Sequence, residues 1–291
     1  TVALATAAPL MLAPAMNQQM WKDPATTANI GTLSVRGARI IGPAAGQQAC
    51  GDVGLGRMEE PSIIAAAAAS LFESNQLAGK RIMITAGPTR EALDPVRYIS
   101  NNSSGKMGYA LAAAAVDAGA ITTLVSGPVA LAPPDRIRFL SVQSAEQMLQ
   151  QCIELLPECD IFIGCAAVAD YRPATVENQK IKKAQNEMTL QLVRNPDIVS
   201  AVAANKYRPY TVGFAAETNN VVAYARDKMQ RKGLDMMVAN DVSNQTIGFN
   251  SDNNAVTVLW RDGEKTLELA SKTSIAQHIV RLIAHQPRKN D

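Results

Sequence analysis

The sequence predicts an α/β protein with three layers, in which helices cover both faces of a mainly parallel sheet. After about residue 79, short apolar runs alternate with longer amphipathic segments. This alternation is typical of strand–helix–strand units, whose strands lie parallel because each helix returns the chain to the same edge of the sheet. Two further apolar runs flank Arg261-Asp262-Gly263-Glu264, which predicts an antiparallel hairpin near the C-terminus. We therefore expect a Rossmann-like domain with an antiparallel addition.

The expected elements follow one another along the chain in a regular order. A polar linker over 73–80 separates an alanine-rich helix at 62–72 from the first strand of the sheet, and this predicts two domains, at 1–75 and 79–291. The last helix occupies 271–286 with Ser271 as its N-cap. The strands are expected at 82–85, 121–126, 160–166, 211–215, 236–239, 255–260 and 265–269, and the intervening helices at 108–118, 145–156, 196–204 and 220–232.

Ligand-binding residues are expected at one edge of this sheet. In open parallel sheets, ligands bind beyond the carboxyl ends of the strands. The loops that follow Thr85, Ser126, Ala166, Ala215 and Ala239 are therefore the positions at which the sequence predicts function.

Composition narrows the range of functions. The 291 residues include 28 Lys and Arg, 26 Asp and Glu and only 4% aromatic residues, so the chain has neither the basic field nor the stacking surface typical of nucleic-acid binding. No uninterrupted apolar run of about 18 residues predicts a membrane span. The only two histidines, His278 and His285, lie near the C-terminus, which argues against a histidine-based triad or a His-rich metal site.

Cysteine usage indicates the cellular compartment. The four cysteines form no C-x-x-C pair and lack the density of a disulfide-linked scaffold. The apolar start of the chain has no basic stretch before it and is not expected to be a signal peptide. Both observations predict a cytoplasmic protein.

Two segments that contain glycine predict an anion site. The loop at 86–90 leaves the first strand, and Ser103-Ser104-Gly105-Lys106-Met107-Gly108 then opens a helix, where free backbone N–H groups favour an anion such as phosphate. The segment departs from a Walker A loop because Ser100 occupies a required glycine position and Met107 replaces the Ser or Thr that would bind magnesium. A glycine-rich helix start without a ligand explains the local pattern equally well.

Other residues of the same region could add to that site. Arg97, Asn101 and Asn102 offer guanidinium and amide donors near the proposed anion, although Asn is also an ordinary turn residue. The run of small residues at 164–171 follows an apolar strand and includes the carboxylate of Asp170. Small residues allow close approach of a ligand, and tight packing of a helix on the sheet would need them as well.

Two basic clusters could neutralise a triphosphate. Three lysines lie within 180–183, and Lys228 and Lys232 project from one face of a predicted helix. A solvated charged surface is the more common interpretation of such clusters. Asn195 and Pro196 predict the N-cap and first residue of a helix whose N–H groups could face phosphate, and capping alone would also explain them.

A glycine-rich segment at 46–58 surrounds Cys50. The pattern predicts a flap that carries a thiol acid, and a buried structural cysteine is the alternative interpretation.

Taken together, these segments resemble the family of bifunctional coenzyme A biosynthesis proteins, in which phosphopantothenoylcysteine decarboxylase is joined to phosphopantothenate–cysteine ligase. The resemblance covers essentially the whole chain. The segments that carry it are 14–21, 46–58, 84–90, 95–108, 164–171, 180–183, 195–199, 213–218 and 239–242.

For residues 79–286 the resemblance implies the ligase. That enzyme joins 4′-phosphopantothenate to cysteine with CTP through an acyl-cytidylate, releases CMP and pyrophosphate, and uses Mg²⁺. The resemblance implies that Lys180 stabilises charge at the reacting phosphate and that Asn101, with Arg97 nearby, handles the acyl-cytidylate. The implied nucleotide site comprises Gly164, Cys165, Ala166, Asp170, Lys180, Pro196, Asp197, Ile198, Val199, Phe214, Lys228 and Lys232. A homodimer of the ligase is implied as well.

The first segment resembles the C-terminal part of the flavodoxin-like, FMN-dependent decarboxylase. There the resemblance implies that Asn17 binds the substrate carboxylate and that Cys50 donates a proton. Since the residues that grip FMN in the amino-terminal half of that domain are absent from this sequence, we expect decarboxylation only in the complete chain.

Two other functions fit a Rossmann-like sheet. A dinucleotide-dependent oxidoreductase would need G-x-G-x-x-G after the first strand, whereas Gly87 is followed by Pro88-Thr89-Arg90. A non-catalytic nucleotide-binding protein is the second alternative. The choice between CTP and ATP depends on pocket shape and is not decided by any motif.

Overall fold

The fold was analysed in a computed structural model, which describes residues 3, 5–6, 8–47, 51, 53–71, 75–182, 188–217, 221–241 and 251–286. The chain forms two compact units, Thr1–Glu73 and Ser74–Asp291. Each unit is described by itself below.

The described residues of the first unit form short strands and three helices. Its elements are β1 (Met11–Leu12), α1 (Gln18–Lys22), α2 (Pro24–Val35), β2 (Arg39–Ile40), β3 (Ala44–Gln47), β4 (Val53–Arg57) and α3 (Pro61–Ser70). Strands β1 and β2 pair in parallel, and β3 and β4 form an antiparallel hairpin. The segment 46–58, expected as a glycine-rich flap, therefore contributes to two paired strands. Cys50, between these strands, lies outside the described residues.

The second unit alternates strands and helices. Its elements are, in chain order, β5 (Arg81–Ala86), β6 (Arg90–Ala92), β7 (Tyr98–Ser100), α4 (Lys106–Asp117), β8 (Ile121–Ser126), β9 (Arg138–Ser141), α5 (Ala145–Leu155), β10 (Ile161–Gly164), β11 (Tyr171–Pro173), β12 (Leu192–Arg194), α6 (Ile198–Ala203), β13 (Tyr210–Glu217), α7 (Val221–Arg231), β14 (Met236–Asp241), β15 (Asn253–Trp260), β16 (Gly263–Ser271) and α8 (Lys272–Ala284).

Eight strands of this unit form one sheet, in the order β16-β15-β14-β13-β10-β5-β8-β9. The six strands from β14 to β9 are parallel, and β15 and β16 extend the sheet as an antiparallel hairpin. The predicted α/β class, with a mainly parallel sheet and a C-terminal hairpin, is confirmed.

Helices cover both faces of the sheet because successive side chains of a strand point to opposite sides. Ile82 and Ile84 of β5 pack in one hydrophobic cluster with α4 and α8. Met83, between them, packs in a second cluster with α5 and α6. Helix α7 covers the ends of β13 and β14 through a third cluster that includes Met229 and Met237. This arrangement produces the three predicted layers.

The prediction for the start of α6 was wrong. The N-cap is Asp197, whose side chain accepts a hydrogen bond from the backbone N–H of Ser200 at 3.1 Å. The side-chain oxygen of Asn195, which a cap would need as acceptor, accepts instead from Arg172 Nη1 at 3.3 Å, and the side-chain amide donates to the carbonyl of Ala169 at 2.8 Å. Asn195 therefore connects the segment before α6 to the loop after β10 by a hydrogen bond.

Three short features of the second unit were not predicted from the sequence. They are strand β9 and two antiparallel ribbons, β6–β7 and β11–β12. Strand β10 also ends at Gly164, two residues before its predicted end. Cys165 and Ala166 consequently belong to the loop that leaves the sheet.

Candidate active site

A cavity of about 570 Å³ opens at the carboxyl edge of the sheet in the second unit. Its wall is formed by the segment that begins α4, the loop after β10, the ends of β13 and β14, and the starts of β15 and α8. The lining residues are Asn101, Asn102, Ser103, Ser104, Gly105, Lys106, Met107, Gly108, Cys165, Ala166, Ala167, Val168, Asp170, Phe214, Ala215, Lys228, Asn240, Asn254 and Lys272.

The loop after β10 is fixed in place by the loop after β5. The backbone N–H of Ala166 donates to the hydroxyl of buried Thr85 at 3.3 Å, and that of Ala169 donates to the hydroxyl of buried Thr89 at 3.0 Å. The N–H of Ala167 donates to the carbonyl of Gly87 at 2.9 Å. These bonds hold the small residues of this loop as a preformed wall.

The glycines at the start of α4 are required by packing. Gly105, the N-cap, has a φ of +76°, and a Cβ there would approach Val129 Cγ1 to 2.8 Å. A Cβ on Gly108 would lie 2.5 Å from that of Ala86. Because no side chain intervenes, the first turn of α4 lies directly against β5 and lines the cavity with its backbone. Free N–H groups at a helix start favour an anion.

Asn101 and Asp170 lie on the same cavity. The side-chain amide of Asn101 donates to the carbonyl of Val168 at 3.0 Å, which places its side chain against the loop after β10. The carbonyl of Asp170 accepts a hydrogen bond from the N–H of Asn195 at 2.9 Å. The fold thus brings together two predicted residues that are 69 positions apart in the sequence.

Positive charge predominates on the described wall. Lys106, Lys228 and Lys272 line the cavity, whereas Asp170 is the only carboxylate among the described lining residues. Lys106 Nζ lies 2.7 Å from Asp252 Oδ1, and Lys272 Nζ donates to the carbonyl of Ser251 at 2.5 Å. The cavity is therefore suited to an anionic ligand.

Lys272 is the most enclosed of these cations, with 7% of the residue exposed. Burial lowers the pKa of Lys272 from its ordinary value, and the nearby charge of Lys106 lowers it further.

Sequence reasoning missed both Lys106 and Lys272 as charged groups of the site. Lys272 follows the N-cap of α8, and no local pattern distinguishes it from a surface lysine at a helix start.

Asn240 adds a hydrogen-bonding group without a partner among the described residues. Its Oδ1 atom is buried and accepts no hydrogen bond from the part of the chain that the structure describes. A buried acceptor without a donor costs about 1–3 kcal/mol, so a ligand that donates to Oδ1 would recover that free energy. Asn240 lies at the end of β14, where the sequence predicted functional residues without identifying this one. Phe214, at the end of β13, lines the same cavity.

Of the residues that the resemblance implies for the ligase site, six line this cavity: Asn101, Cys165, Ala166, Asp170, Phe214 and Lys228. Asn102 and the segment 103–108, predicted as part of an anion site, line it as well. The single chain places the other implied ligase residues elsewhere. Lys180 lines a second cavity, of about 490 Å³, and Arg97 is bound to Asp94. Pro196 lines a third cavity beside α5.

The remaining residues of the predicted nucleotide site have structural partners. Asp197 pairs with Lys232 at 2.6 Å. Partial burial alone would raise the pKa of Asp197, but the hydrogen bond from Lys232 holds it below its usual value. Ile198 is buried against α5, and Val199 packs against the position of Gly164, where a Cβ would approach Val199 to 2.6 Å. None of these five residues lies on the described wall of the main cavity.

Cys165 is a neutral part of that wall. Burial raises the pKa of the Cys165 thiol to about 12, from an ordinary 9.0. At pH 8, we expect iodoacetamide to alkylate Cys165 in the folded chain about 10³-fold more slowly than in denaturant, from ionisation alone. Peptide mass spectrometry of timed samples measures both rates. Equal rates in the two conditions would show a reactive thiolate.

In the first unit, Asn17 has a capping role. Its side-chain oxygen accepts a hydrogen bond from the N–H of Gln19 at 2.7 Å and so caps the start of α1.

The described residues contain no group of three or more His, Cys, Asp or Glu side chains placed to hold a metal ion. Among the described residues, no helix has both the length and the apolar character needed to cross a bilayer.

Comparison with known proteins identifies the family. The family model described as DNA/pantothenate metabolism flavoprotein C-terminal domain matches residues 77–286, and the model described as Flavoprotein matches residues 1–73. The coenzyme A biosynthesis bifunctional protein CoaBC of Vibrio vulnificus is 56% identical over 286 residues, which cover 97% of this chain and 71% of that protein. The chain belongs to the CoaBC family.

Other CoaBC proteins agree with this assignment. The Escherichia coli CoaBC is 53% identical over 296 residues, covering 100% of this chain and 73% of that protein. The crystal structure of a CoaBC C-terminal domain is similar with a TM-score of 0.63 and 43% identity, covering 72% of this chain and 97% of that one. The resemblance stated from the sequence is confirmed. The chain is thus an enzyme of coenzyme A biosynthesis with a flavoprotein domain at its N-terminus, and neither an oxidoreductase nor a non-catalytic binding protein is supported.

Proposed function

We propose that residues 79–291 form a ligase domain that joins 4′-phosphopantothenate to cysteine with CTP. The observation that carries this proposal is the cavity at the carboxyl edge of the sheet. Its described wall combines three lysines, the N-terminus of α4 and a buried amide oxygen that accepts no hydrogen bond from the described residues. The preceding residues, 1–75, form the C-terminal part of a decarboxylase domain.

The chemistry suits a site built from fixed charges. A carboxylate at neutral pH resists attack by an amine, so a carboxylate oxygen first attacks the α-phosphorus of CTP and pyrophosphate leaves. The cysteine amine then attacks the acyl carbon of the cytidylate, CMP leaves, and the amine loses its proton. Positioning and stabilisation of negative charge supply most of the acceleration in such steps.

The lining residues suit these steps. Lys106, Lys228 and Lys272 neutralise phosphate groups, and the amide of Asn101 stabilises the oxyanion that forms when cysteine attacks. Mg²⁺ fits this site as an ion held mainly by the triphosphate, since Mg²⁺ usually takes one or two carboxylates and keeps several waters. Asp170 is the carboxylate of the described wall that is available to it.

A homodimer would complete the site. Lys180 and Arg97 lie away from the Asn101 cavity in a single chain, so we propose that Lys180 of the partner subunit reaches the cavity. The two ribbons β6–β7 and β11–β12 support an interface, because they expose large apolar side chains of the kind found at protein contacts. These side chains are Val96, Tyr98, Tyr171, Leu192 and Val193, with exposed fractions of 59%, 48%, 47%, 43% and 38%.

For the first domain we propose FMN-dependent decarboxylation in the complete protein. Asn17 would bind the substrate carboxylate and Cys50 would donate the proton. We place this enzyme in the cytoplasm with small molecules as its substrates; the near balance of 28 Lys and Arg against 26 Asp and Glu disfavours nucleic acid as a partner.

The ligase proposal is tested by incubating the purified chain with 4′-phosphopantothenate, cysteine, Mg²⁺ and either CTP or ATP at equal concentration. We expect phosphopantothenoylcysteine and pyrophosphate in equal amounts, with CTP preferred. Mass spectrometry of the product and an assay for pyrophosphate measure both. A folded chain that forms neither product with either nucleotide would refute the proposal.

A further inference from the structure

Asp94 lies in the turn between β6 and β7 and is 3% exposed. Both of its carboxylate oxygens accept several hydrogen bonds. Oδ1 accepts from the backbone N–H groups of Val96 and Arg97, at 2.8 and 2.9 Å. Oδ2 accepts from Arg97 Nε at 2.9 Å, from Arg97 Nη2 at 2.6 Å and from the backbone N–H of Ile181 at 3.1 Å. The carboxylate therefore joins its own turn to a segment 87 positions away.

Arg97 completes the connection. Its Nη2 donates to the carbonyl of Ile181 at 2.6 Å as well as to Asp94. The N–H and the C=O of Ile181 are thus both bound by the Asp94–Arg97 pair. A backbone–backbone hydrogen bond, from the N–H of Glu177 to the carbonyl of Leu93 at 3.0 Å, connects the same two segments.

Ile181 directly follows Lys180. Consecutive Cα atoms are about 3.8 Å apart and the peptide between them is planar. Hydrogen bonds to both backbone groups of Ile181 therefore restrict the position of the Lys180 Cα atom, from which the Lys180 side chain extends. The Asp94 carboxylate is suited to this task at any ordinary pH. Burial alone would raise its pKa, but the hydrogen bonds from Val96, Ile181 and Arg97 hold the pKa of Asp94 well below its usual range.

We propose that Asp94 is a positioning residue for the ligase, which acts by holding Arg97 and the backbone of Ile181 so that Lys180 is presented in one place. This inference rests on the proposed role of Lys180. Asp94 is not among the described residues that line the main cavity, so its effect must pass through the Lys180 segment.

Two readouts test this role. The variant Asp94→Asn keeps the shape of the side chain but loses its charge and half of its acceptor capacity. We expect Asp94→Asn to lower kcat about tenfold, with little change in the KM for CTP. In a chain that already carries Lys180→Gln, we expect Asp94→Asn to lower kcat by less than a further factor of two. We also expect amide hydrogen exchange at Ile181 to quicken about tenfold or more, because its N–H loses a charged acceptor.

Glu91→Gln is the matched control. Glu91 lies on the same ribbon and is also 3% exposed, but its carboxylate accepts from the N–H of Ala145 at 3.0 Å, at the start of α5. We expect this variant to leave both kcat and Ile181 exchange within about twofold of the wild type, since no hydrogen bond of the Glu91 side chain within the described ranges reaches the Lys180 segment.

The outcomes separate this inference from the ligase proposal. Additive losses in Asp94→Asn and Lys180→Gln, or unchanged exchange at Ile181, would overturn the role of Asp94 and leave the ligase assignment intact. Full turnover by Lys180→Gln would instead remove Lys180 from the mechanism, and with it the catalytic part of this inference. If Asp94→Asn does not fold, Asp94→Glu takes its place, because it keeps the charge but displaces the carboxylate oxygens. We expect Asp94→Glu to show the same coupling to Lys180→Gln and the same faster exchange at Ile181. If Asp94→Glu showed neither effect, the inference would be overturned.

Discussion

Replacement of Asn101 by Asp is expected to lower the rate of ligation by about 10²–10³-fold. The Asn101 amide lines the main cavity and donates to the carbonyl of Val168 at 3.0 Å. An aspartate in its place cannot donate, and its charge opposes the oxyanion that forms as cysteine attacks. Steady-state formation of phosphopantothenoylcysteine, measured with saturating CTP, reports the loss.

Asn205→Asp provides the control for this substitution. Asn205 lies between α6 and β13, at the opposite edge of the sheet, where its side chain accepts a hydrogen bond from the N–H of Tyr207 at 3.0 Å. The control is expected to keep nearly full activity. An Asn101→Asp variant that retained more than about half of the wild-type turnover would remove Asn101 from the mechanism.

Replacement of Lys180 by Gln is also expected to lower turnover by about 10²–10³-fold, because a fixed positive charge is lost at the reacting phosphate. Mixing this variant with Asn101→Asp should then restore activity. If Lys180 acts on the partner's cavity in a twofold dimer, each mixed dimer contains one intact site, so random exchange gives about a quarter of the wild-type activity.

Subunit exchange is followed with two affinity tags on the two variants. Lys182→Gln, two residues away and exposed, is the matched control and is expected to remain active alone. Failure of a verified mixed dimer to recover activity would show that Lys180 and Asn101 do not combine across the interface.

The main elements of the second unit were predictable because their patterns are local. The apolar run of β8 predicted both ends of that strand correctly, at Ile121 and Ser126. Ser271 caps α8, as predicted. The two ribbons were missed because each strand has only three residues, which is too short for an alternating pattern to be recognised. Pro173 within β11 further weakened the signal for a strand.

The candidate site was only partly predictable because it is assembled from distant parts of the chain. Gly105 and Asp170 belong to segments whose composition is unusual, so the sequence pointed to them. Lys272 comes from the start of α8 and Asn254 from the start of β15, and only the fold brings these ordinary residues to the cavity. Conversely, Asp197 and Lys232 pair with each other, a partnership that no spacing rule indicates.

Isotope transfer tests the central claim most directly, namely that the carboxylate is activated by CTP as an acyl-cytidylate. Phosphopantothenate labelled with oxygen-18 in its carboxylate is incubated with the chain, CTP, Mg²⁺ and cysteine, and the released CMP is analysed by mass spectrometry. The account predicts that CMP carries one labelled oxygen, because the bridging oxygen departs with the nucleotide when cysteine attacks. Unlabelled CMP, or label released in inorganic phosphate together with CDP, would contradict it.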